Sequence, residues 1–503
     1  MLSGPLLASV LGFITIVNPV RISRYIENPG PSLKAQYKVI TDLNLPATWL
    51  ATYDALVHPE TKTILTNLDP RQEIGLFMEV TPIFSEAAGV KYHQTGSWHF
   101  ANAVFLSGYT QEERLKLIDT IFSRFKEMYG RYPTSVGSWW IDSFSLNYMQ
   151  QKYGITGTLG CADQFSTDNY QLWGQYWSVP FYPSKKHAGL PAQSSKNKIP
   201  IVKSLWAARD PEKGYTSSLY STQDYLIKEL DINYFEKLVR LYAWPHENKF
   251  GHIVVGLESD LLPHEYEKEF KKQMELVNKL SLEVNVTTLE KFNKWYIDKF
   301  PDLSPDHKIV GDNAVWEQTP FYRKATINKM VVDWRYYPKD FEEPYNLWPN
   351  RENTLFINMP AITDNVSNNY SFKESDIKKW SFDRLEFSDW SSETKHAFAT
   401  VKFWPRLFLG QGWNLIKREK YVVEPDEMLA LFYLKYLPNG QVMLVDQECL
   451  QCEYFGNTKP AVYANLRDYV SNKSNKAVIK SKILLKPGVA EQIKTEIKQN
   501  NIK

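Results

Sequence analysis

Cysteine is scarce, with three in 503 residues. Cys449 and Cys452 make a lone Cys-x-x-Cys with no second pair and no neighbouring histidine, so a local disulfide or two core thiols is the plainer reading than zinc. Charge of one sign is lacking too: 59 basic and 57 acidic residues leave a net +2 and no basic stripe, which excludes a nucleic-acid partner. The apolar start, residues 5–17, is interrupted by Gly12 and Thr15 and falls short of the roughly 20 residues a membrane span needs. No basic residue precedes it, as a signal peptide would require. Residues 1–12 are expected to be an N-terminal extension or the remnant of a leader. The second case implies an extracytoplasmic or cell-surface setting, the first a cytoplasmic one. Three motifs are missing as well. Without Gly-x-Gly-x-x-Gly after a strand there is no dinucleotide site, without Gly-x-Ser-x-Gly no esterase elbow, and none of the nine histidines forms His-x-x-x-His or His-Glu-x-x-His. No cofactor and no metal ligand is therefore expected.

What the chain has in excess is aromatic surface. Phe, Trp and Tyr make up 14% of residues, with 16 Trp and 30 Tyr. Such side chains in a cleft suit flat amphipathic ligands such as sugar rings, and in a core they simply pack.

Short apolar runs alternate with helical patterns from the start. Strands are expected over 13–17, 47–51, 73–80, 136–141, 155–161, 201–206, 252–257 and 283–286. Helices are expected over 32–43, 60–68, 110–129, 143–153, 223–243, 264–280 and 289–300. Thr110 and Glu113 are spaced as a capping box, and Gly130 and Gly154 stand where helices stop. About eight strand–helix units in some 300 residues predict an α/β fold: a distorted (β/α)7–8 barrel over 13–303. The break Pro301-Asp302-Leu303-Ser304-Pro305 reads as a linker. Beyond it, short strands over 314–316, 329–334, 354–358, 399–404, 428–436 and 441–445 predict a smaller antiparallel, sandwich-like domain over 304–503.

In such a barrel chemistry is built at the carboxyl ends of the strands. Asp142 follows one buried run and Glu258 another, with Asp260 two residues on. A pair of carboxylates is what glycoside cleavage needs, one to protonate the leaving oxygen and one to attack or to activate water. The same residues could merely cap the helices that follow. Glu79 and Asp210 also lie near strand exits and are candidates for substrate binding. So are Arg209 as a clamp on hydroxyls, Trp98 in the loop 81–108, and Trp140, Trp173, Trp177 and Tyr182 as stacking surfaces.

The run Gly137-Ser138-Trp139-Trp140-Ile141-Asp142, followed by a helix and Tyr153-Gly154-Ile155, resembles the nucleophile motif of family 57 glycoside hydrolases. Glu73-Ile74-Gly75-Leu76 and Tyr132-Pro133 are similar to segments of polysaccharide deacetylases, which share a barrel superfamily with families 57 and 38. The resemblance spans about residues 13–300 and implies a carbohydrate-active barrel. It also departs from both patterns. Ile141-Asp142 stands where family 57 has Pro-Glu, and one alignment of Gly256-Leu257-Glu258-Ser259-Asp260 puts Gly256 at the general acid. Deacetylases bind metal through an Asp-Asp pair after the first strand and His-x-x-x-His after the third. This chain has Asn18-Pro19 and Phe77-Met78-Glu79-Val80-Thr81 there. The expectation is thus a hydrolase of an oligo- or polysaccharide, with Asp142 as nucleophile or base and Glu258 or Asp260 as acid. The alternatives are a glycan-binding barrel without turnover and a deacetylase with a non-standard metal site.

Overall fold

The computed structural model describes residues 11–373, apart from 23–27, 94–96, 98, 261–262, 338–340, 347, 360, 362 and 369–370. The first of its two compact units comprises residues up to Gly311 together with Tyr345–Phe356. Strands β1 (Gly12–Val20), β2 (Thr48–Ala51), β3 (Glu73–Phe77), β4 (Ser135–Gly137) and β5 (Gly157–Cys161) pair side by side and parallel. A short antiparallel hairpin follows, β6 (Gln164–Thr167) and β7 (Tyr170–Trp173). The barrel resumes with β8 (Val202–Trp206) on β5, and β9 (Gly251–Val255) returns to the free side of β1. β10 (Asn285–Thr287) pairs with the first half of β1, whose second half pairs with β2. β8 and β9 come together without a ladder, so the barrel is nearly closed.

Every residue of these strands from β1 to β5, and of β8 and β9, is buried, as expected for parallel strands covered by helices outside and packed side chains inside. The inner layer is Val17, Leu50, Phe77, Leu159, Trp206 and Val254, one residue from each of six strands. A second cluster, Phe13, Tyr182, Val202, Phe250, Phe292, Tyr296 and Phe300, plugs the amino-terminal end.

The helices are α1 (Gly30–Asp42), α2 (Tyr53–Val57), α3 (Pro59–Thr66), α4 (Pro82–Ala87), α5 (Ala101–Val104), α6 (Gln111–Tyr129), α7 (Ser143–Tyr153), α8 (Ile232–Ala243), α9 (Pro263–Leu280) and α10 (Leu289–Lys299). The capping box of α6 forms, with the Thr110 hydroxyl accepting from Glu113 N–H and the Glu113 carboxylate accepting from Thr110 N–H. Gly130 and Gly154 end α6 and α7 at φ 69° and 71°, the left-handed conformation glycine adopts without strain.

One expectation needs correcting. The helix expected over 223–243 begins only at Ile232, because the Asp231 side chain accepts from Asn233 N–H and caps it there. The segment 162–200 is an extension of the core, with Tyr170, Trp173, Tyr176, Trp177, Phe181 and Tyr182 all buried.

The second unit comprises Asp312–Pro344 and residues from Ile357 onward. Ala314–Gln318, Tyr322–Ile327 and Met330–Tyr336 form an antiparallel meander, to which Thr363–Asp364 and Phe372–Lys373 add on the last strand. Its core holds a charge network: Arg323 forks onto Asp333, and Arg335 bridges Asp333 and Asp364. The strands expected over 399–404, 428–436 and 441–445, and Cys449 and Cys452, lie outside the described residues.

Candidate active site

Just beyond the strand ends stand Arg21 after β1, Glu79 after β3, Trp139 after β4 and Glu258 after β9. These four meet at the carboxyl end of the barrel.

Arg21 is the hub. Its Nε donates to Glu79 at 2.9 Å, and its second terminal nitrogen lies 2.8 Å from the other Glu79 oxygen, a two-pronged contact. Its first terminal nitrogen donates to Glu258 and lies 3.3 Å from Asp260 Oδ2. The guanidinium also sits over two rings, 5.5 Å from the centroid of Trp139 and 5.9 Å from that of Phe77. Burial works against the arginine's charge, but Glu79, Asp260 and Glu258 outweigh it and hold the group well above its ordinary value.

Glu258 is set by the exit of β9. Gly256 has φ 142°, and a Cβ there would fall 1.8 Å from the Val17 carbonyl oxygen, so only glycine lets the chain leave β9 this close to β1. The residues that follow are pinned to the end of β1. Leu257 N–H donates to Asn18 Oδ1, Ser259 N–H to the Pro19 carbonyl, and Arg21 N–H to the Ser259 hydroxyl. From α1, the Gln36 amide donates to the Glu258 carbonyl at 3.0 Å, and the Gln223 amide donates to Glu258 Oε1 at 3.2 Å.

Of the four charged side chains Glu258 is the most open, at 15% exposure against 2% for Arg21, 5% for Glu79 and 6% for Asp260. Burial pushes its carboxyl up to about 8; Arg21 and the Gln223 amide oppose this, while Asp260 and Glu79 add to it. Glu79 is raised as well, first by burial, with Arg21 opposing. Nearby, Asp54 is raised by burial, its carboxylate accepting from the Thr81 hydroxyl.

Asp142 is elsewhere. It caps α7, accepting from Ser145 N–H at 2.9 Å and from the Ser145 hydroxyl at 2.8 Å, and it pairs with Arg114 at 3.1 Å, both side chains wholly buried. Arg114 is in turn fixed by the carbonyls of Tyr109, Ser107 and Tyr345. The structure brings Glu258, Asp260 and Glu79 together and leaves Asp142 out.

The expected stacking surfaces are core residues. Trp140 is buried and packs against Lys203 and His187. Trp173 and Trp177 are 1% and 0% exposed and pack on Tyr215, and Tyr182 belongs to the plug at the opposite end, its hydroxyl donating to the Phe300 carbonyl. Arg209 is buried too, clipping the carbonyls of Asp163 and Ser218, and so is Asp210, which accepts from Lys213 N–H and the Tyr234 hydroxyl. Trp98 lies outside the described residues. Sequence reasoning missed Arg21, Trp139 and Gln223. Arg21 and Trp139 stand within two residues of a strand's carboxyl end, the signal that could have found them; nothing local marks Gln223.

The residues at this mouth do not fit the metal of a deacetylase. Hydrolytic zinc is held by histidine-rich sets, whereas here three carboxylates converge on a guanidinium that already supplies the positive charge. Among the described residues no group of three His, Cys, Asp or Glu is arranged to hold a metal ion.

Residues 95–205, about a fifth of the chain, match the family model described as a domain of unknown function with a solved structure, DUF3863. No curated protein matches. Among solved structures, a candidate glycoside hydrolase/deacetylase from Parabacteroides distasonis is similar at 15% identity and TM-score 0.48, over 69% of this chain and 92% of that one. A candidate polysaccharide deacetylase from Mycobacterium smegmatis shares 11% identity, with TM-score 0.35 over 62% and 97% of the two chains. A family 4 carbohydrate esterase from Streptomyces lividans shares 8%, with TM-score 0.29 over 56% and 93%. Among the described residues no helix is long and apolar enough to cross a membrane.

Proposed function

We propose that the protein is a carbohydrate-active hydrolase that cleaves a glycosidic bond, with Glu258 as general acid and Asp260 as the second carboxylate. The observation that carries this reading is the convergence of both acids on one nitrogen of Arg21 at the carboxyl end of the barrel. Their environments differ in the sense the chemistry needs. Glu258 is the more open of the two and stays protonated up to about pH 8, so at neutral pH it has a proton to give to a leaving oxygen. Asp260 Oδ2 lies 3.3 Å from the same Arg21 nitrogen. Trp139, partly exposed and stacked on Arg21, offers the ring face for a sugar. Relative to the family 57 pattern, Asp260 takes the place expected of Asp142 as the second carboxylate.

Glu258→Gln tests this. Loss of a general acid costs about 10²–10⁴-fold in rate, so turnover of an activated aryl glycoside by the variant should fall by that factor without a lower Tm. In the parent, kcat/KM should decline as pH rises through about 8, where Glu258 loses its proton. Unchanged turnover in the variant would end the proposal. One observation favours the binding-only alternative: Asp260 is 6% exposed, which leaves little room for attack. Glycan affinity with no turnover of any glycoside would decide for that reading.

A further inference from the structure

Three side chains donate to Glu258, and two of them touch its carboxyl group. Arg21 donates to Oε2, and Gln223 Nε2 donates to Oε1 at 3.2 Å. The third, the Gln36 amide, reaches the main-chain carbonyl instead. Gln223 arrives from the loop that leaves β8, and the backbone beneath it is fixed. Thr222 N–H donates to the Ala208 carbonyl, Asp210 N–H to the Tyr220 carbonyl, and the N–H groups of Gln223 and Asp224 both to the Ser221 hydroxyl. The two donors on the carboxyl differ in what they leave for a proton. A guanidinium has donors only and keeps its charge, so a proton on Oε2 would meet an N–H head-on. Among the described residues Oε1 accepts from the Gln223 amide alone, and a carboxyl oxygen has two lone pairs, so the other can carry the proton. The remaining charged groups that face Glu258 are Asp260 on its own segment and Glu79 after β3, and both disfavour its anion.

We propose that the proton Glu258 gives up sits on Oε1, and that Gln223 is the positioning residue that holds this oxygen and steadies the carboxylate left behind. This rests on the hydrolase reading given above and adds a residue to its site. As the proton passes to the glycosidic oxygen, the O–H bond breaks, its electron pair stays on Oε1, and the Gln223 N–H then bonds an anion. Hydrogen bonds to charged groups are the stronger kind, so this one tightens during the transfer, which is the condition for lowering the barrier. Gln36 fixes where the residue stands and does not touch the reacting oxygen.

The test is the titration of Glu258 in the full chain, followed by carbon-13 NMR of protein labelled at its glutamate carboxyls, the signal being assigned by its loss in Glu258→Gln. Gln223→Met keeps the length of the side chain and removes the donor. A hydrogen bond to a charged group is worth about one pH unit. Losing it disfavours the carboxylate, so the midpoint should rise by about that much from its place near pH 8 in the parent. The alkaline limb of kcat/KM should move up with it, and kcat at neutral pH should fall by up to about tenfold at an unchanged KM. Gln223→Asn, whose amide stops one methylene short, should give the same rise. Gln36→Met is the control, since it loosens the same residue and should leave the midpoint in place. An unmoved midpoint in both Gln223 variants, or an equal rise in Gln36→Met, would overturn the inference and leave the hydrolase reading intact. A rise confined to the Gln223 variants, with no turnover of any glycoside by the parent, would uphold the hold of Gln223 on Oε1 and overturn the hydrolase reading instead.

Discussion

Asp142 and Glu258 each follow a buried strand, and their partners give them different work. Asp142 is matched one-to-one with Arg114 inside the wall and spends its remaining capacity on the first turn of α7. Glu258 shares Arg21 with two other carboxylates and keeps an edge in the cleft. Breaking a buried ion pair costs about 3–5 kcal/mol, since the remaining charge stays buried alone. Asp142→Asn should therefore lower Tm by several degrees, seen by calorimetry, while turnover per folded molecule stays within about a factor of two to three of the parent. A strand-end acid was legible in both cases from sequence. Which of the two stands in the proposed site follows from how many carboxylates each arginine serves, through contacts between residues 58 and 237 positions apart.

At the scale of elements, the exits of β1, β4 and β9 decide the site. Trp139 and Trp140 show how fine the decision is. Just past the end of β4, Trp139 reaches Arg21 whereas Trp140 is buried against Lys203. Trp139→Ala should raise KM for a glycan with little change in Tm. Trp140→Ala should cost about 3–5 kcal/mol of stability, and thermal denaturation beside steady-state kinetics separates the two. The exit of β9 depends on Gly256. With its φ of 142° and the Val17 carbonyl 1.8 Å from where a Cβ would be, Gly256→Ala must push β9 off β1 and carry Glu258 away from Arg21. Both Tm and kcat should drop, and an alanine variant with parent-like kcat would contradict this account of the exit. The helix caps at Thr110, Gly130 and Gly154 were legible because each is a local exchange of backbone donors. The late start of α8 was not, since the apolar spacing runs on past the residue that caps it.

For the whole molecule, the barrel was legible because its strands are buried on both faces and alternate with amphipathic helices. The second unit was half legible. Tyr322–Ile327 escaped notice because Arg323 and Lys324 break its apolar pattern, yet Arg323 is buried there on Asp333. The aromatic excess pointed to a sugar cleft, but the rings expected to line it, Trp173, Trp177 and Tyr182, are buried in the segment between β5 and β8. The charge balance at the mouth yields a prediction for the intact protein. With a guanidinium at the centre, prolonged dialysis against a strong chelator should leave both Tm and turnover unchanged, and loss of activity restored by zinc would contradict the fit of this site.

The most direct test sets Glu258→Gln and Asp142→Asn side by side on one aryl glycoside, with turnover expressed per folded molecule. The account predicts that the first loses about 10²-fold or more at an unchanged Tm, and that the second keeps its turnover at a lowered Tm. The reverse pattern, with Asp142→Asn inactive and Glu258→Gln active, would contradict it.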